Sequence, residues 1–557
     1  MNTSKLLRKA GILLIALFAS LIICSVGWTA TYYLDATNGN DSNNGTSQST
    51  PWKTISKVNS SKFNPGDQIL FKRGKTWREQ LVVPSSGSSG TPVTFGAYGS
   101  GSLPIITGAD ILASGWTQTS GTVWQASVTT EPKLVFFNRT LGTHKSSLTG
   151  VTAANQWYWA ANVLYVHSTS NPATAFTNPG VEAGQRDFGI DVSWAYITIQ
   201  DIHTTKTNHS GIRFSDAWAG HGTLYSPQAI RVTSDYNYNN GIMFGALGAD
   251  LVDVLAENNV TSFNGGPGIE VGNWDAVITG ITIQDNTIDS NNWQSTSPLF
   301  NSTAGLHITS TGNGSAYGHT LKNAVIQRNT VSNCTNQPGL WLDTVGTNVV
   351  AQYNKIYNCY YGAYVENSTA VRLSYNLIYN CPHLGIQVTR LVHNNLVYNN
   401  TVYGCGTGIA VGWTHPSTGG VTGNLIKNNI SWGNSTVALS ANNGGQNDGT
   451  NGSGNVYAYN MFGPEATNFI TWGASIYSTV AAWQTASSQS GNLASNPLFV
   501  SSSKPDFHLQ SNSPAIKRGT SVGLTRDYAG SPVGTPPTIG AYEYSDLSAP
   551  SGLRIIP

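Results

Sequence analysis

A phrase that returns every 23 residues constrains this chain more than any other feature. "GLWL" at 339, "GAYV" at 362, "GIQV" at 385 and "GIAV" at 408 each set a glycine before a short alternating strand. Earlier members of the series, "GIDV" at 189, "GIRF" at 211, "GIMF" at 241, "GIEV" at 268 and "GLHI" at 305, stand further apart, which implies loops inserted between strands. An asparagine phrase precedes the last four: "NTVSNC" at 329, "NKIYNC" at 354, "NLIYNC" at 376 and "NTVYGC" at 400. A third strand comes before the asparagine, as in "ITIQD" at 281 and "AVIQR" at 324. A fixed period built from short strands marks a solenoid, because one unit cannot bury its own apolar face and stacked units can. Each unit reads as one coil of an all-β parallel helix, with coils about 4.8 Å apart.

Composition agrees with that architecture and excludes others. Only 10% of the residues are charged, and 60 are glycine. Amphipathic helices need charged residues on their wet face, whereas β-structure with many turns does not. With 28 basic against 27 acidic residues, no basic stripe offers itself to nucleic acid. The first residues read as an export signal: Lys5, Arg8 and Lys9 precede the apolar run "AGILLIALFASLIIC". The run is short for a membrane span, so the expectation is a secreted, monomeric protein with no stable span once the signal (1–30) is removed. Lipid anchoring at Cys24 is the minor alternative. Cys334, Cys359, Cys381 and Cys405 fall at coil spacing and read as a buried stack of small apolar residues rather than metal ligands. The asparagines should stack likewise as an amide ladder.

Alternation along the strand assigns directions to the side chains. In "GLWL", Leu340 and Leu342 point inward, while Trp341 and Asp343 point out. Aligning the nine strands gives a first outward row of Asp191, Arg213, Met243, Glu270, His307, Trp341, Tyr364, Gln387 and Ala410. The second row contains Thr309, Asp343, Glu366 and Thr389, and Trp274, Asp275, Arg390, Trp413 and His415 lie just beyond the strands. Asp343 and Glu366 hold equivalent places on adjacent coils, with Cα atoms expected about 5 Å apart. Two carboxylates so close raise the pKa of one member or hold a cation. The pair suits acid–base catalysis, resembles the spacing of a retaining glycosidase, and could equally hold Ca²⁺. Glu270 and His307 form a second adjacent pair. Trp341, Tyr364, Arg390 and Trp274 are the candidate substrate-binding residues, since aromatic faces beside carboxylates suit sugar rings. The competing structural reading is that outward residues of a solenoid are polar because they meet water.

The asparagine-turn repeats resemble those of the right-handed parallel β-helix proteins of the pectate-lyase-like superfamily. The opening "YYLDATNGNDSNNGTSQSTPWKTI" and the run "FNPGDQILFKRGKTWRE" are similar to their cap and first coil. "NPLFVSSSKPDFHLQSNSPAIKRG" with "IGAYEY" is similar to their closing segment. On this basis residues 31–100 are the N-terminal cap and first coils. Residues 101–185 are an irregular β-rich insertion, 186–545 the right-handed helix with its closing segment, and 546–557 a tail. The resemblance implies a polysaccharide substrate and β-elimination, with His307, Arg213, Tyr364 or Arg390 as base or neutraliser and Asp343, Glu366 or Glu270 holding Ca²⁺. The stripe lacks the lysine that many relatives use. Hydrolysis by Asp343, Glu366 or Glu270, polymer-level epimerisation, and glycan binding without catalysis are the alternatives.

Overall fold

The computed structural model describes residues 29–217, 219–294, 303–310, 321–390, 392–412, 421–442 and 452–544. The export signal with Cys24, the residues Trp413 and His415, and the tail from 546 lie outside the described residues.

Among the described residues, three long sheets of 15, 13 and 12 strands run along the molecule, parallel within almost their whole length. Each coil gives one strand to each sheet. The coil holding Asp343 supplies Leu321–Gln327, Thr330–Ser332 and Pro338–Asp343. Inward residues make one continuous core from Leu34 to Trp483, Leu340 and Leu342 among them. Side strands within residues 107–184 form two small sheets beside the solenoid, with their own core around Trp157, Leu164 and Val135. A short helix, Val480–Ser487, buries Trp483 at the C-terminal end. Among the described residues no helix is long and apolar enough to cross a membrane.

The asparagine ladder forms as the sequence predicts. The Asn400 side-chain oxygen accepts from the Asn376 backbone N–H at 3.0 Å and from its amide at 2.9 Å. The Asn400 amide donates in turn to Leu373 O at 3.1 Å and to Asn429 at 2.9 Å. The residue before each rung adopts a left-handed backbone: φ is 58° at Tyr353, 51° at Tyr375 and 53° at Asn399. Non-glycine residues hold that conformation at a cost, which the amide bonds of the following asparagine offset. Asn400→Ala should strand the buried Asn376 donors and the Leu373 carbonyl of the preceding coil, destabilising the protein by about 3 kcal/mol. A urea midpoint within experimental error of the wild type would contradict the ladder's role.

Cys334, Cys359, Cys381 and Cys405 are buried and unbridged. Burial pushes the Cys359 and Cys381 thiols well up, so they pack as inert apolar groups. The glycine that opens each of the last four phrases lies within the strand rather than before it. Gly339 lies inside its strand, and a Cβ there would come within 2.4 Å of Ile356 Cγ2. The constraint is close packing against the next coil.

Candidate functional site

The 13-stranded sheet carries the stripe in the register read from the alternation. Asp191 pairs with Arg213, Arg213 with Met243, Met243 with Glu270, Glu270 with His307, His307 with Trp341, and Trp341 with Tyr364. Two positions further along the strands, Thr309 pairs with Asp343 and Asp343 with Glu366. Adjacent parallel strands lie about 4.8 Å apart, so the two carboxylates project side by side from neighbouring coils.

Their environments differ. Asp343 is half-buried; the Thr344 hydroxyl donates to it at 2.9 Å and the Thr309 hydroxyl at 3.4 Å. Glu366 is only 3% exposed and is ion-paired with Arg390. Burial, then the negative charge of Asp343, pushes the Glu366 carboxyl up to about 7, and Arg390 and Tyr364 pull it back only in part. Burial removes hydration that a single guanidinium, itself 43% exposed, does not replace. Arg390→Ala should therefore raise the Glu366 pKa further and move any activity limb controlled by Glu366 to higher pH, by about one unit. An unmoved limb in the pH–rate profile would detach Arg390 from the site.

The aromatic row continues beside the pair. His307 and Trp341 rings lie 5.0 Å apart, Trp341 and Tyr364 5.2 Å, and Tyr364 and Tyr361 5.7 Å. This packing closes the stripe more than an outward direction implies, leaving His307 at 2% exposure and Tyr364 at 5%. Burial, then the charge of Glu366, raises the Tyr364 hydroxyl strongly. His307 Nδ1 stands 3.5 Å from Glu270 Oε1, and among the described residues neither ring nitrogen makes a hydrogen bond. A buried imidazole without partners is costly. The Asn240 amide donates to Glu270, a contact that the stripe alignment did not reveal because Asn240 precedes its strand.

The candidate residues separate into groups. Asp343, Glu366, Arg390, Trp341 and Tyr364 form one contiguous cluster, and His307 with Glu270 adjoins it. Trp274, 37% exposed, borders a cleft with Glu270. Arg213 belongs to neither group: it makes a two-pronged ion pair with Asp191 at 2.9 and 2.8 Å and lies over Phe188. Asp191 was in the aligned row, one coil away, so this pairing was readable from the sequence. Among the described residues no three His, Cys, Asp or Glu side chains converge. Ca²⁺ takes about six to eight oxygens. The two carboxylates and two hydroxyls carry six oxygens, but the Arg390 guanidinium already paired with Glu366 occupies the place a cation would take, so the set fits the ion poorly.

Comparison with known proteins supports the architecture. The family model described as a right handed beta helix region matches residues 225–402 and 317–479. A lacto-N-biosidase of Bifidobacterium longum subsp. longum is 35% identical over 94 residues, 16% of this chain and 6% of that protein. The matched stretch is thus a small part of that relative. The structure of XylC in complex with xylose aligns over 78% of this chain and 75% of its own, with a TM-score of 0.51 and 14% identity. A GH136 lacto-N-biosidase from Eubacterium ramulus aligns over 79% of this chain and 65% of its own, at 15% identity and a TM-score of 0.44. With three parallel sheets, an asparagine ladder that runs from coil to coil and a right handed beta helix region matched over residues 225–479, the chain is a right-handed parallel β-helix.

Proposed function

We propose that this protein is an exported glycoside hydrolase that cleaves an oligosaccharide with retention of configuration. One observation carries the reading: a half-buried Asp343 and a buried Glu366, its pKa pushed up to about 7, stand side by side on adjacent coils. Retaining enzymes use two carboxyl groups about 5–5.5 Å apart, one a nucleophile and the other an acid that becomes a base. Glu366, protonated below about pH 7, donates its proton to the leaving-group oxygen as the glycosidic bond breaks. Asp343 attacks the anomeric carbon and forms a glycosyl ester. Glu366, now ionised, takes a proton from water, and the water's oxygen displaces Asp343. Trp341 offers a ring face beside the pair, and His307 packs against it with Nδ1 3.5 Å from Glu270. The names of the proteins it resembles, a lacto-N-biosidase and a xylose-bound XylC, support a sugar substrate.

β-Elimination is the second reading, favoured by Arg390, a cation beside the pair that could neutralise a uronate carboxyl. The two are separated by incubating the protein, in EDTA, with nitrophenyl glycosides of xylose and lacto-N-biose and with uronate polymers. Release of nitrophenol and new reducing ends supports hydrolysis. Unsaturated, ultraviolet-absorbing products overturn it, as does glycan binding without any cleavage.

A further inference from the structure

The chemistry above uses the middle of the stripe and gives no task to the side sheets within residues 107–184. That unit is fixed firmly to the solenoid. Its buried Glu182 is ion-paired with Arg78 at 3.0 Å and with Lys206, and the Asn208 side chain accepts from the Lys133 backbone N–H at 2.9 Å. Between unit and coils lies a cleft of about 410 Å³, bordered by His144 and Trp157 on one side and by Tyr238, Trp293 and Gln294 on the other. Gln294 also borders the cleft of about 370 Å³ that reaches Glu270. The two hollows are therefore neighbours, and the second opens onto the stripe about two coil spacings, roughly 10 Å, before Asp343.

The first cleft has the character of a carbohydrate site. His144 stacks on Trp157 with ring centroids 4.3 Å apart, and the buried Trp157 indole N–H has no hydrogen-bond partner among the described residues. Trp293 is 39% exposed, yet its N–H is held by the Phe263 carbonyl at 3.0 Å, which limits how the ring can turn. Fixed aromatic faces with polar edges match the alternating apolar faces and hydroxyls of a sugar, and a ring that is already placed loses little freedom on binding. We propose that this cleft is a remote subsite for a neutral oligosaccharide, holding sugar units well beyond the bond broken at Asp343 and Glu366. It rests on the hydrolase reading only in taking the bound glycan to be the substrate.

The test separates the two. Glu366→Gln protein is titrated by calorimetry with xylo- and lacto-series oligosaccharides from disaccharide to octasaccharide. Affinity should rise at least about tenfold with chain length, and that gain should vanish on adding Trp293→Ala or, independently, His144→Ala. In the wild-type background the same two changes should leave turnover of a nitrophenyl glycoside unaltered and raise KM for the long oligosaccharides. Length-independent affinity, a gain that survives both substitutions, or no glycan binding at all overturns the subsite. Length-dependent binding by a protein that hydrolyses nothing would sink the hydrolase reading and leave the subsite standing.

Discussion

Asp343→Ala should lower kcat on a nitrophenyl glycoside by at least about 10⁴-fold, because a nucleophile has no substitute within its strand. Its register partners are Thr309 and Glu366. Thr309 is a poor nucleophile, and Glu366 is held as the acid. The fold should survive, since Asp343 is only half-buried and its bonds are to two hydroxyls. A small anion such as azide fits the space vacated by the carboxylate. It should restore part of the rate and give a glycosyl azide of inverted configuration. A variant that keeps a tenth of its turnover would remove Asp343 from the reaction.

Glu366→Gln should cost about 10²–10⁴-fold, the range for a lost general acid. The loss should be larger for alkyl or sugar leaving groups than for nitrophenol, which departs without a proton. The wild-type rate should fall as pH rises through about 7, where Glu366 ionises, and the variant should lack that limb. Stability should carry the same signature. The folded pKa of Glu366 lies above its ordinary 4.5, so folding favours the protonated form. That contribution is complete below about pH 4.5 and is lost as pH rises to about 7, a change of roughly 3 kcal/mol. Melting curves at several pH values would show the wild type losing more stability over this interval than Glu366→Gln, in which Asp527 and Glu543, also raised by burial, still titrate. Parallel curves for the two proteins would mean that Glu366 is not the group titrating.

The periodic part of the site was legible because a parallel solenoid converts sequence spacing into spatial neighbours. "GLWLD" and "GAYVE", 23 residues apart, were enough to set Trp341 beside Tyr364 and Asp343 beside Glu366. Burial was not legible. Glu366 and Tyr364 are closed off by one another, by Trp341 and by Arg390, which acts from just past the end of its own strand. No repeat encodes where such a side chain folds back. The reason for the glycine of each phrase was not legible either, since the packing of Gly339 against Ile356 of the next coil shows only once coils are stacked. That His144 and Trp157 face Tyr238 and Trp293 across a cleft was invisible for a related reason: the side sheets follow no period, so nothing in their spacing predicts what they face.

The asparagine ladder has a consequence for how such a protein can change over generations. Successive rungs are separated by 43 residues between Asn286 and Asn329, by 22 between Asn354 and Asn376, and by 29 between Asn400 and Asn429. The amide bonds are nonetheless 2.8 to 3.0 Å long at all three steps. The ladder fixes where a coil begins and is indifferent to how much chain returns to it. A lengthened or exchanged segment between rungs leaves every later strand in phase, and the carboxylate pair with it. Ancestral recombination could therefore redraw the loops beside the stripe while the register of the carboxylate pair was inherited intact.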